Sequence, residues 1–195
     1  MIWPDRLRLP FRFEAERLRR DLDALAGAEW TAHFVSQNYE GDWSAIPLRG
    51  VAGARHPIQM IFSDPSATAF EDTPFLVHCP ALRQVIEAFQ CEVQSTRLMR
   101  LAAGSIIKEH SDHDLSAEDG MARIHVPVVT NPEVTFEVNR RPVVMAPGEA
   151  WYLRLSDPHR AANAGSTDRV HLVLDMVVNN WLRGVLDEAA AMQAA

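Results

Sequence analysis

The sequence predicts a mainly β fold: a jelly-roll core buttressed by α-helices from both ends of the chain. Three observations carry that expectation. From Ser95 onward turn-forming pairs recur at short intervals, at Ala103-Gly104, Asp119-Gly120, Asn131-Pro132, Asn139-Arg140, Pro147-Gly148, Asp157-Pro158 and Gly165-Ser166. Such punctuation belongs to a sandwich or barrel of short strands. Between the turns, apolar residues alternate with polar ones, most clearly over 121–129 and 169–178, the period of a half-buried strand. Apolar residues at helical spacing occur on the flanks.

Taken in order, Leu7 to Phe13 alternates and reads as a strand. Glu14 to Ala26 carries Leu18, Leu22 and Leu25 on one face and reads as an amphipathic helix. Trp43 to Leu48 reads as a short strand. Residues 50–78 are rich in Gly, Pro, Ser, Asp and Thr, which predicts a long loop lying over the body. Pro80 opens a second helix, because its fixed φ suits a first helical turn, with Leu82, Val85, Ile86 and Phe89 on one face. Trp181 to Ala194 reads as a closing helix. These pieces form one domain over 1–195: support from 1–94, a jelly-roll core over 95–180 and a C-terminal helix over 181–195.

The 195 residues suit a single core, and a net charge of -7 argues against nucleic acid as a partner. No apolar run approaches the roughly 20 residues of a membrane span, and the first ten residues lack the apolar centre of a secretory signal. Cys79 and Cys91, without CxxC spacing, fit a reducing compartment better than a disulfide framework. The expectation is a cytoplasmic protein acting on a small molecule.

The chemistry concentrates in a few short stretches. In Lys108-Glu-His-Ser-Asp-His-Asp, a strand would turn His110 and Asp112 to one side and His113 to the other. An imidazole beside a carboxylate supplies two of the three ligands in the facial triad of non-haem iron(II) oxygenases. The third must come from far along the chain, and His159, after Asp157-Pro158, stands in a suitable place. Singly, each of these is an ordinary polar residue; the set gains meaning from Arg169, ten residues beyond His159. There Arg169, His171, Val173 and Asp175 share one face, opposite Val170, Leu172, Leu174 and Met176. A planar guanidinium donates two parallel hydrogen bonds to one carboxylate. A second strand repeats the pattern, with Arg123 and His125 on one face opposite Ile124, Val126 and Val128, and two basic groups aimed at one space suit a carboxylate ligand.

Together these stretches resemble the aspartyl/asparaginyl β-hydroxylase family, whose relatives include hydroxylases of free proline. The carrying motifs are Arg97-Leu-Met-Arg-Leu, Ile107-Lys-Glu-His-Ser-Asp, Arg123-Ile-His-Val-Pro, Pro147-Gly-Glu-Ala-Trp-Tyr, Pro158-His-Arg-Ala-Ala-Asn and Asp168-Arg-Val-His-Leu-Val-Leu-Asp. A looser match lies in Gly41-Asp-Trp-Ser-Ala-Ile-Pro-Leu-Arg-Gly. The resemblance implies a double-stranded β-helix, a dioxygenase using iron(II), 2-oxoglutarate and O2, and hydroxylation of an amino acid or of an Asp/Asn-type residue in a peptide. It places the metal ligands at His110, Asp112 and His159 and the cosubstrate's distal carboxylate on Arg169. It also puts His125 beside the cosubstrate and Arg123 near the substrate. Arg49 is a further candidate substrate contact. The alternative is a cupin-type metalloprotein, an isomerase or sensor without 2-oxoglutarate, since the spacing of Gly104 to His110 and of His159 to Asn163 also resembles cupin motifs. Such a protein has no need of a dicarboxylate anchor at Arg169.

Overall fold

The structure, a computed structural model, describes residues 2–62 and 66–194. The first part of the chain contributes β1 (Arg6–Arg12), α1 (Ala15–Ala24), β2 (Thr31–Ala32), β3 (Tyr39–Glu40), β4 (Trp43–Val51), α2 (Pro57–Ile61), β5 (Phe70–Asp72) and α3 (Pro80–Glu87). Then come β6 (Val93–Leu101), β7 (Ile106–His110), β8 (Met121–Val129), β9 (Val134–Val138), β10 (Arg141–Pro142), β11 (Glu149–Leu153), β12 (His159–Asn163) and β13 (Arg169–Val177). Helix α4 (Asn180–Ala194) closes the chain.

The strands form two antiparallel sheets. The larger runs β1-β11-β8-β13-β6-β4-β2, with β5 on β4; the smaller runs β10-β9-β12-β7-β3. From β6 to β13 the chain passes back and forth between the sheets, the path of a double-stranded β-helix. The turns that make this path are chemically apt. Asn139 and Arg140 both have positive φ (50° and 59°), as the tight β9–β10 hairpin requires. At Gly148 (φ 80°) a Cβ would run into the Phe13 carbonyl oxygen, so only glycine lets β1 lie this close to the start of β11.

Two cores follow from the alternation. On the outer face of the larger sheet Ile124, Val126, Leu172 and Leu174 pack with Leu18, Leu82, Leu182 and Leu186 from α1, α3 and α4. Between the sheets a smaller cluster joins Ala45, Met99, Leu101, Ile107, Phe136, Val138, Ala161 and Val173. The helices are also tied by polarity: Asp21, 6% exposed on α1, accepts a hydrogen bond from the Leu82 backbone N–H at 2.8 Å, filling an open donor in the first turn of α3.

The stretch over 50–78 is more ordered than its composition predicts. It holds the end of β4, α2, β5 and a 3-10 turn over Pro74–His78. His56 caps α2 by accepting from Ile58 N, and Thr73 Oγ1 donates to the Pro47 carbonyl at 2.7 Å, so side chains replace the missing periodic signal. Residues 63–65 of that stretch lie outside the described residues. Cys79 and Cys91 are both free thiols, pushed up to about 11 by burial. Among the described residues no helix is long and apolar enough to cross a membrane.

Candidate active site

Between the two sheets opens a cleft whose walls include His110, Asp112, Arg123, His125, His159 and Arg169. Register explains the assembly. His159, first residue of β12, pairs directly with His110, last residue of β7, so the rings meet with centroids 4.3 Å apart. Strand β7 stops at His110, so alternation does not carry Asp112 to this side; the bend is held by Asp112 N donating to the Leu155 carbonyl at 2.8 Å. The three side chains offer ligand atoms within 4.8 Å of one another, and His110 Nε2 stands 3.5 Å from Asp112 Oδ1.

Both imidazoles are oriented from behind. His110 Nδ1 lies 2.8 Å from the Lys108 carbonyl and His159 Nδ1 3.1 Å from the Asp157 carbonyl. Each Nδ1 must therefore carry its proton, leaving each Nε2 as a lone pair for a metal. Burial holds His159 down at about 4, so that ring is neutral at physiological pH. Two imidazoles and one carboxylate on one side of a cleft fit a divalent metal that keeps open positions for ligands.

Behind the carboxylate lies a chain of charges. Arg123 Nη1 donates to Asp112 Oδ2 at 2.7 Å, while its Nε and Nη2 grip Asp175 at 2.6 and 2.9 Å. Arg97 Nη2 reaches the same Asp175 at 2.8 Å and its Nη1 donates to Ser95 Oγ and the Ile61 carbonyl. Burial opposes charge on Arg123, but Asp175 and Asp112 outweigh it and the guanidinium is held above its ordinary value. Sequence reading put Arg123 and Asp175 on inward faces without joining them. Their opposite charge on adjacent strands was the available signal, since Asp175 pairs with Arg123 across β13 and β8.

Arg169 sits differently. It is 2% exposed, and among the described residues its guanidinium makes one hydrogen bond, from Nη2 to His171 Nδ1 at 2.8 Å, while Nε has no partner. Phe136 lies under it, 5.6 Å from ring centroid to Cζ. Burial without a carboxylate lowers Arg169 to about 9. His125 is beside it, buried, with Nε2 unpartnered and its Nδ1 3.3 Å from His171 Nδ1; burial first and Arg169 second push His125 well below its ordinary value.

Arg49 is not brought to this site. It is absent from the cleft wall and its donors go to Asp72 at 2.7 Å and to the Val93 and Phe70 carbonyls. The N-terminal part instead contributes Trp43, which lines the cleft and is stacked on His33 at 3.6 Å. Burial holds His33 down at about 3, with Arg97 and Arg123 adding to the effect. His33 has no motif around it and is not legible from sequence.

Residues 12–178 match the profile of the aspartyl/asparaginyl beta-hydroxylase family. The chain is 31% identical over 166 residues to an L-proline cis-4-hydroxylase of Rhizobium meliloti, covering 84% of this chain and 58% of that protein. It is 24% identical over 185 residues to an L-proline cis-3-hydroxylase of Streptomyces, covering 93% and 62%. It thus spans about three fifths of the length of these curated relatives. Among solved structures, a Pseudomonas putida prolyl-4-hydroxylase shares the fold, with TM-score 0.55 and 11% identity over 90% of this chain and 94% of that one.

Proposed function

As the chain belongs to the aspartyl/asparaginyl β-hydroxylase family, we propose that it is an iron(II)- and 2-oxoglutarate-dependent hydroxylase acting on a C–H bond of a free amino acid or of an Asp/Asn-type residue in a peptide. The observation that carries this is Arg169: a buried guanidinium with no carboxylate partner among the described residues, lining the same cleft as His110, Asp112 and His159. A charge buried without a counter-ion is costly, and one carboxylate of a dicarboxylate would relieve it.

In this reading His110, Asp112 and His159 hold the metal. When bound, iron(II) with 2-oxoglutarate and O2 supplies the oxidising chemistry that turns C–H into C–OH and releases succinate and CO2. The protein's part is placement. Arg169 anchors the distal carboxylate and fixes the cosubstrate's direction, with His125 beside it. Arg123 holds the outer oxygen of Asp112, so the other oxygen keeps its aim, and it stands in the cleft wall beside the space a substrate would take. Trp43 and Phe136 keep the cleft dry. Arg49, with its donors engaged elsewhere, is left out of this site. The relatives named as L-proline hydroxylases favour a small amino-acid substrate over a folded protein.

A mass-spectrometric screen of free amino acids and short peptides with iron(II), ascorbate and 2-oxoglutarate tests it. The expected result is gain of one oxygen by one substrate class, matched by succinate, and lost in Asp112→Ala. Absence of 2-oxoglutarate binding by anaerobic calorimetry with manganese(II) overturns the reading and favours the cupin-type alternative.

A further inference from the structure

One nitrogen behind the cleft wall has two claimants. His171 Nδ1 lies 2.8 Å from Arg169 Nη2 and 3.3 Å from His125 Nδ1. A guanidinium has only donors, so His171 Nδ1 must be a lone pair and the ring's proton must sit on Nε2. Two imidazole lone pairs cannot face each other at that distance, so His125 Nδ1 must carry a proton and share the same acceptor. The rings meet nearly edge to face, at 79°, which suits an N–H pointing into a neighbouring ring nitrogen. Once Nδ1 of neutral His125 is protonated, its Nε2 is an acceptor, and that atom is buried without a partner in a residue that lines the cleft.

We propose that His171 is a positioning residue that holds the Arg169 guanidinium in place and locks His125 in the Nδ1–H tautomer. The pair then divides its work. Arg169 alone brings positive charge to a carboxylate, through the N–H groups His171 leaves free. His125 offers an acceptor, so it meets a hydroxyl, an ammonium or a water rather than a bare carboxylate oxygen. This differs from the sequence expectation that His125 joins Arg123 in meeting a carboxylate. The tautomer follows from the contacts alone; its consequence for cosubstrate affinity rests on the function proposed above.

Nitrogen-15 NMR of the full chain, histidine-labelled and loaded with diamagnetic zinc(II), reads each tautomer directly. The expected spectrum has His171 protonated at Nε2 only and His125 at Nδ1 only. His171→Asn keeps an acceptor near the place of Nδ1, and His125 should keep its tautomer. His171→Leu removes the acceptor, and His125 should shift toward a mixture of tautomers. Calorimetry with manganese(II) should show 2-oxoglutarate binding weakened about tenfold in His171→Leu and less than about threefold in His171→Asn, as for loss and retention of one buried hydrogen bond. Wild-type His125 protonated at Nε2 overturns the proposal, and so does a folded His171→Leu with unchanged tautomer or affinity. Should the wild type bind no 2-oxoglutarate, the function fails while the NMR result still decides the tautomer.

Discussion

Strands β8 and β13 show two kinds of interior, one on each face. Their outer face, with Ala122, Ile124, Val126, Val170, Leu172 and Leu174, packs hydrocarbon against the helices. Their inner face carries Arg123, His125, Arg169, His171 and Asp175, all but Arg123 at or below 5% exposed. One face is stabilised by burial itself. The other buries charge, which is unfavourable unless each group finds a partner. Arg123 and Arg97 have theirs in Asp175, whereas Arg169 has none among the described residues. Within a single inner face, then, some charges are paired and one is left without a counter-ion among the described residues.

The largest expected effect comes from blurring that division. Asp175→Ala removes the carboxylate shared by two buried guanidiniums and should cost about 3–5 kcal/mol in urea unfolding, with metal affinity falling too because Arg123 loses its anchor. A loss below about 1 kcal/mol would show that the chain of charges is not structural. On the outer face, Leu172→Ala should cost about 2–5 kcal/mol while leaving 2-oxoglutarate affinity unchanged in the folded fraction. Arg169→Ala should do the reverse: Tm unchanged or raised, and 2-oxoglutarate binding weaker by about a hundredfold, as when a charge-assisted pair is lost. A large drop in Tm would place Arg169 with the structural charges.

A last effect concerns pH. His33, His125, His159 and His171 are all held below the ordinary value of 6.5, mainly by burial. Folded, they resist protonation down to about 3 for His33 and about 4 for His159. Unfolded, they take up protons near 6.5, so the unfolded state binds more protons in the window below. Stability of the metal-free protein should therefore fall as pH drops from about 6.5, by up to ~1.4 kcal/mol per pH unit for each histidine. His171→Asn should make that slope shallower by one proton, and an unchanged slope in a pH series of urea titrations would remove His171 from the set.

Much of this was legible in the sequence, unevenly. Strands and helices showed where periodicity is strong, as for β1, α1, α3, β8, β13 and α4. That His110, Asp112 and His159 lie together, with Arg169 on the same cleft, was suggested by residue type and order along the chain, although the alternation expected to aim Asp112 fails because β7 ends at His110. What stayed hidden depends on contacts between distant segments. Asp21 reads as a solvated helix residue until Leu82 is placed against it. His171 reads as one more polar inward residue until Arg169 and His125 converge on its Nδ1. The 50–78 stretch hid α2 and β5 because both are too short for a periodic signal and are held by individual side-chain bonds.

Both faces of β13 are buried from Arg169 to Met176. Such a strand offers almost no site at which a substitution is neutral, because one face answers to packing and the other to charge. Room for change must therefore lie elsewhere. The His33 ring stacked on Trp43 leads from the cleft wall to Phe34 and Phe62, which meet edge to face at 5.5 Å and stand 41% and 42% exposed. Residues there can change in size and shape without touching either core. The fold thus sets an exposed aromatic rim, which can vary as surface segments do, beside an interior that cannot.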